Sequence, residues 1–159
     1  MYKILFVCLG NICRSPAAEN IMNHLLQQHH LEHLIRCDSA GTSAYHIGCP
    51  PDARMTAAAQ RRGLKFEGTA RQFNSRDFEQ FDLILAMDQS NYQDILELDR
   101  TNQYQDRVKL ICSYCTKYRD REVPDPYYGG EQGFEFVLDL LTDACTGLLA
   151  ELSANLRPD

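Results

Sequence analysis

Short apolar runs alternate with amphipathic stretches along the whole chain. Lys3-Ile-Leu-Phe-Val7 is a β-branched and aromatic run ended by Gly10 and Asn11, which predicts a buried first strand. Ser15-Pro16 then opens a helix, because Ser is a good N-cap and Pro is accepted at the first helical position. Ile21, Met22, Leu25 and Leu26 keep helical spacing along one face. A second strand is expected from Leu34 to Ser39, ended by Ala40-Gly41. Asp52 caps a helix that runs to Arg62 and stops at Gly63. Phe81 to Met87 reads as a third strand, Asp88 to Leu98 as a helix, and Val108 to Cys112 as a shorter fourth strand. Gly133 to Leu156 is a long final helix whose Phe134, Val137, Leu138, Leu141, Cys145, Leu148 and Leu149 face inward.

Strands separated by helices predict an α/β fold: a parallel sheet with right-handed crossovers covering both faces. At 159 residues the chain is expected to be a single domain, residues 1–159. Its 44% hydrophobic and 24% charged residues are those of an ordinary globular core, which excludes disorder. The longest apolar stretch, Ile4 to Leu9, is far too short for a membrane span, and no secretory leader is visible after Met1-Tyr2-Lys3. The net charge of −6 has the wrong sign for a nucleic-acid binder. Seven cysteines at irregular spacing argue against a disulfide framework and for a reducing, cytoplasmic setting. Cys112-Ser-Tyr-Cys115 has no second metal-ligand pair after it and is expected to hold buried small hydrophobes. The five histidines, His24, His29, His30, His33 and His46, read as solvated surface.

In open α/β sheets ligands bind beyond the carboxyl ends of the strands. After the first strand that place is held by Cys8-Leu-Gly-Asn-Ile-Cys-Arg-Ser15. A loop running from strand end to helix start can curl until successive backbone N–H groups converge at the positive end of the helix dipole. Gly10 and Asn11 tolerate the left-handed conformations such a curl needs. The result is an anion cradle sized for a phosphoryl group, made by Leu9, Gly10, Asn11, Ile12, Cys13 and Ser15, with Arg14 as a planar two-pronged donor. Cys8 sits at its base, where convergent dipoles and Arg14 favour thiolate over thiol. A thiolate beneath a bound phosphate is a nucleophile aimed at phosphorus. The Ser15 hydroxyl can hydrogen-bond the sulfur.

Displacing an ester oxygen also requires a proton, and an acid on a loop is the expected donor. The loop from Asp120 to Gly130 carries Asp125 between Pro124 and Pro126, whereas Asp38, Asp52 and Asp88 are accounted for as turn or cap residues. Tyr127 and Tyr128 beside it are candidates for the wall of a slot that stacks an aromatic leaving group.

Together these segments resemble the low-molecular-weight protein tyrosine phosphatases. The likeness rests on Val7-Cys-Leu-Gly-Asn-Ile-Cys-Arg-Ser-Pro16, Asp38-Ser-Ala-Gly41, Ala86-Met-Asp88 with Ser90-Asn91, and Asp125-Pro-Tyr-Tyr-Gly129, in the family's order and covering nearly the whole chain. The resemblance implies a four-stranded parallel sheet, no metal or other cofactor, a tyrosine-phosphorylated protein as substrate, and a phosphocysteine intermediate. It implies Cys8 as nucleophile, Arg14 as phosphate and transition-state clamp, and Asp125 as acid and then base. It further implies that Asn11 supports the loop through Ser15 and Ser39, that Tyr45 is a wall residue, and that Cys13 can pair reversibly with Cys8 under peroxide. Many members carry a His shortly before the Ala70-Arg71-Gln72 triplet, in contact with the Asn and Ser network; Gly68 stands there in this chain, so softer loop support is expected. Two alternatives compete. An arsenate reductase on the same scaffold would need relay cysteines after the third strand, and a phosphotyrosine-binding module would lack Cys8 or Asp125; neither condition holds.

Overall fold

The computed structural model describes residues 1–119, 121–126 and 130–156. Four strands, β1 (Tyr2–Cys8), β2 (Ile35–Gly41), β3 (Leu83–Ala86) and β4 (Val108–Leu110), form one parallel sheet in the order β2-β1-β3-β4. Among the described residues five α-helices accompany it: α1 (Arg14–Gln28), α2 (Ala53–Arg61), α3 (Asp77–Gln80), α4 (Gln89–Leu98) and α5 (Glu131–Leu156). The predicted four-stranded sheet with helices on both faces is present.

The near-continuous apolar character of β1 follows from burial on both faces. Ile4, Phe6 and Cys8 join a core with Ala18, Met22, Met55, Leu138 and Leu141, under α1, α2 and α5. Leu5 and Val7 point the other way, into a core with Phe73, Phe78, Ile84 and Ile95 under α3 and α4. β1 is central, with β2 on one side and β3 on the other. The helix that follows β1 covers one face and the helix that follows β3 covers the other. The carboxyl end of β1 therefore opens into the crevice where α/β sheets bind ligands.

Several boundaries differ from the sequence expectation. β2 runs on through Ala40 and Gly41 because the ladder with β1 continues to the Cys8–Gly41 pair. A Cβ at Gly41 would stand 2.7 Å from Leu9 O and 3.1 Å from Asn11 N, so glycine here serves close approach of the β1–α1 loop rather than strand termination. β3 is confined to the four residues that pair with β1, of which Ile84, Leu85 and Ala86 also pair with β4. β4 ends at Leu110, and Ile111–Tyr114, including Cys112, form a 3₁₀ turn. The largest correction is at α1, which starts at Arg14 with Cys13 as its N-cap residue. Ser15 is not a cap; its hydroxyl is spent on Cys8 and Asn11. Asp52 does cap α2, accepting from the N–H groups of Arg54 and Met55. No helix among the described residues is long and apolar enough to cross a membrane.

Candidate active site

The loop from Cys8 to Arg14 is held from outside. Thr42 N–H donates to Cys8 O at 2.9 Å, Ser43 N–H to Leu9 O at 2.9 Å, and Asp52 N–H to Ile12 O at 2.8 Å. In a trans peptide the carbonyl and the following N–H point in opposite directions. Anchoring these carbonyls outward thus turns the N–H groups of Leu9, Gly10 and Cys13 to the other side of the loop. Asn11 takes a left-handed φ of 58° and aims its own N–H at Cys8 Sγ, 3.2 Å away. The buried Ser15 Oγ is 3.0 Å from the same sulfur.

Asn11 is the pivot, and its side chain makes three bonds. Nδ2 donates to Ser15 Oγ at 2.8 Å and to Ser39 Oγ at 3.0 Å, while Oδ1 accepts from Arg71 N–H at 3.0 Å. The Asn11, Ser15 and Ser39 network expected from the family resemblance is assembled. Where a histidine was expected to be missed at Gly68, an exposed residue with φ of 149°, another group completes the network: Ser39 Oγ donates to Glu19 Oε1 at 2.6 Å. Arg71 is fixed in turn by ion pairs at 3.1 Å to both Asp38 and the buried Asp77.

Arg14 is only 3% exposed. Its Nη1 is held by Asp88 Oδ2 at 2.6 Å and by Val123 O at 3.1 Å, and Nη2 lies 3.8 Å from Asp125 Oδ2. Asp88 has a second task beyond the cap role that the sequence suggests. Its Oδ1 receives Asn91 N–H at the start of α4 while its Oδ2 orients Arg14. A buried guanidinium needs such a partner. Only the placement of β3 beside β1 brings Asp88 to it.

Cys8, Cys13, Arg14, Tyr45, His46 and Asp125 line a cavity of about 380 Å³. Asp125, with its side chain 42% exposed, forms the wet side. Tyr45 stands at the rim, 85% exposed, with its ring edge-on to His46 at 4.7 Å. His46 is half-buried against Gly10 rather than free surface as the sequence suggests, since a Cβ on Gly10 would meet its ring at 2.9 Å. Tyr127 and Tyr128, the expected slot walls, lie outside the described residues. A wider groove of about 1020 Å³ adjoins at Leu9 and Ser43, but its described lining includes no cysteine or histidine. Burial, then Asp52, hold the Cys13 thiol well above its ordinary range, so Cys13 is a neutral neighbour of Cys8.

The fold and this loop match known proteins closely. Residues 3–157 match the model of the low molecular weight phosphotyrosine protein phosphatase family. The chain belongs to that family. It is 60% identical over 154 residues to a Synechocystis sp. protein provisionally named a low molecular weight protein-tyrosine-phosphatase, covering 97% of this chain and 98% of the relative. The human low molecular weight phosphotyrosine protein phosphatase is 40% identical, covering 92% and 93%. A crystal structure of the Entamoeba histolytica protein tyrosine phosphatase, solved with Hepes in its active site, superposes with a TM-score of 0.94 at 46% identity, over 98% of this chain and 99% of that one. The protein is thus a phosphatase of the tyrosine-phosphatase class, and phosphorylated proteins are its substrate class.

Within this phosphatase, Cys8, Leu9, Gly10, Asn11, Ile12, Cys13, Arg14, Ser15, Ser39, Tyr45 and Asp125 occupy one end of the sheet. Glu19, Arg71 and Asp88 contact this network in ways the sequence reading does not expect: it gives Glu19 no role, names Arg71 only within the Ala70-Arg71-Gln72 triplet and takes Asp88 for a cap. Glu19 follows Ser15 by one helical turn, so the i, i+4 spacing was the available signal. Nothing local shows that Asp88 reaches Arg14 or that Arg71 reaches Asn11.

Proposed function

We propose that this phosphatase hydrolyses phosphotyrosine and aryl phosphate monoesters through a phosphocysteine formed on Cys8. The observation that carries this reading is a buried sulfur accepting from Asn11 N–H beside a 3%-exposed Arg14, in a cavity that also holds Asp125. The N–H groups of Leu9 to Cys13 and the Arg14 guanidinium take the three non-bridging oxygens, and they are in position before charge develops on them. Cys8 Sγ attacks phosphorus in line; the S–P bond forms, the bond to the tyrosyl oxygen breaks, and Asp125 gives that oxygen its proton. Water then attacks phosphorus and surrenders a proton to Asp125. The S–P bond breaks, orthophosphate leaves, and the Cys8 thiolate is restored. The Ser15 hydroxyl stabilises the sulfur as it departs. Tyr45 at the rim is a wall that favours a flat aromatic leaving group.

Asp125 is well suited to the double role. It faces the cavity, yet its partial exposure lets it exchange protons with water between steps. The single chain, 1–159, acts as one catalytic domain in the cytoplasm, where thiols stay reduced. Under peroxide, Cys8 is oxidised to a sulfenic acid; the Cys13 thiol displaces water from it to close a disulfide that a dithiol reopens. Turnover of an aryl phosphate by wild type and by Cys8→Ser tests the central step. The variant is expected to bind inorganic phosphate and to release no phenol. Turnover above background in it, or an acid-quenched wild-type reaction with no phosphate on Cys8, would overturn the mechanism.

A further inference from the structure

We propose that Glu19 is a positioning residue for Cys8: by accepting the Ser39 hydroxyl hydrogen, its carboxylate keeps a Ser39 lone pair turned to the Asn11 amide, and the Asn11 amide so held donates to Ser15 and leaves the Ser15 O–H for the sulfur. This inference rests on Cys8 being the nucleophile. The chain of contacts is continuous: Glu19 Oε1 to Ser39 Oγ is 2.6 Å, Ser39 Oγ to Asn11 Nδ2 is 3.0 Å, Asn11 Nδ2 to Ser15 Oγ is 2.8 Å, and Ser15 Oγ to Cys8 Sγ is 3.0 Å.

Donor and acceptor capacity fixes the direction of the links to Asn11, and Cys8 as the thiolate of the proposed mechanism fixes the last one, since a thiolate only accepts. Both amide hydrogens of Asn11 are committed, one to each serine, and its Oδ1 is occupied by Arg71 N–H. Each serine oxygen therefore receives a hydrogen from Asn11 and must place its own elsewhere. Ser15 has the Cys8 sulfur at 3.0 Å, with Ala40 O more distant at 3.4 Å. Ser39 has Glu19. An ionised carboxylate can only accept, so it holds the Ser39 hydroxyl in the orientation that leaves a lone pair for Asn11. Once Glu19 carries a proton it is an uncharged, weaker acceptor that can also donate toward Ser39, so the Ser39 hydroxyl is no longer held in one orientation and Asn11 loses a fixed point.

Glu19 is set up to change state near neutrality. It is half-buried on α1 and faces Cys37, Asp38 and Ser39 on β2 and Glu67 and Arg71 on the segment before Gln72. Burial, reinforced by Asp38 and Glu67 and opposed by Ser39 and Arg71, moves its carboxyl from 4.5 to about 7. Rising pH through neutrality thus switches the support of the nucleophile on. Gly68 brings no side chain to this network, which leaves the carboxylate as the group that orients Ser39.

The test compares wild type, Glu19→Gln, Glu19→Ala and Ser39→Ala in aryl phosphate turnover, in Cys8 alkylation by iodoacetate across pH 5 to 9, and in competitive inhibition by inorganic phosphate. At pH 8 the expected kcat order is wild type, then Glu19→Gln, then Glu19→Ala, with a loss of roughly threefold to tenfold at the last step, the scale of one weakened charge-assisted hydrogen bond. The inflection near pH 7 in turnover and in alkylation is expected to vanish in both Glu19 variants, and phosphate inhibition to change by less than about twofold, since the loop amides that bind it stay anchored. In a Ser39→Ala background, Glu19→Gln is expected to do nothing more. The proposal is overturned if the alkylation profile of Glu19→Gln coincides with wild type, if kcat and phosphate inhibition fall together, or if the Glu19 and Ser39 effects simply add. Should Glu19→Ala not fold, the isosteric Gln variant and Ser39→Ala decide alone. Cys8→Ser in the same assays separates the two readings: residual turnover there removes the nucleophile, whereas a dead Cys8→Ser beside an unaltered Glu19→Gln removes only this inference.

Discussion

The carboxyl ends of β1 and β4 lie on the same edge of the sheet, and each brings two cysteines together: Cys8, the last residue of β1, with Cys13, and Cys112 with Cys115 after β4. After β1 the sulfur is an acceptor, taking Asn11 N–H at 3.2 Å. After β4 the sulfur is a donor, with Cys115 giving its hydrogen to Leu140 O at 3.9 Å, a contact that exists only while the thiol keeps its proton. Burial raises Cys112 and Cys115 alike, and Cys145, buried in α5 and directed at Ala18 O, is pushed up to about 12. The turn after β4 is also closed over. Gly147 lets α5 press against Tyr114 O, where any Cβ would collide. The turn after β1 is left open as a cavity. A cysteine in this sheet becomes a reagent through the hydrogens pointed at it and the space above it, whereas strand-end position alone leaves it a small hydrophobe.

The strongest way to break that contrast is to exchange the sulfurs. Cys8→Ser is expected to lower aryl phosphate turnover by at least about 10⁴-fold, while Cys112→Ser keeps kcat within about twofold. If both fell alike, position would matter more than surroundings. Next in size is the open side of the cavity. Asp125→Ala is expected to cut kcat by at least about 10²-fold for a phenyl ester with a poor leaving group, and much less for a nitrophenyl ester that needs no proton. Equal losses in a leaving-group series would assign the proton to another residue.

Asp88→Ala removes the partner of a buried guanidinium and a helix cap together. It should cost about 3 kcal/mol in denaturant unfolding and misplace Arg14, raising KM for aryl phosphates. A variant as stable as wild type would mean that Val123 O alone suffices to hold Arg14. Glu19 gives a smaller effect of opposite sign. Its carboxyl is raised in the folded state, so the stabilisation it contributes is complete below pH 4.5 and is lost as pH climbs through about 7. That rise is worth about 3 kcal/mol at most, so Glu19→Gln should be the more stable protein at pH 8 and the slower enzyme. Denaturation at pH 5 and 8 checks it, and a Gln variant that is less stable at pH 8 would count against the assignment. The mildest test is labelling. Iodoacetate should reach Cys8 in the native protein, and Cys115 and Cys145 only after unfolding.

Much of this architecture could be read along the chain. Ile4 to Val7 is apolar without alternation because both of its faces are covered, and a loop of Gly, Asn, Arg and Ser soon after it marks where a phosphate can sit. Those are local facts, carried by neighbours in sequence. Ser15 shows where local reading fails. Before Pro16 it has the features of a cap, yet the hydroxyl finds better partners in Cys8 and Asn11 once the loop curls. His46 likewise reads as surface until the 42–49 segment folds back over Gly10.

The order of residues 8 to 15 determined the class of chemistry, since a thiol, a run of turning amides and a guanidinium within eight residues can converge without help from the rest of the chain. Only tertiary structure decided how that convergence is held. Asp88 reaches Arg14 from 74 positions away because β3 lies against β1. Arg71 reaches Asn11 from 60 positions away, and Ser39 reaches Glu19 from 20, because β2 and the segment before Gln72 close over α1. Hydrogen bonds and buried ion pairs depend on distances of about 3 Å, and separation along the chain carries no such information until the strands have paired.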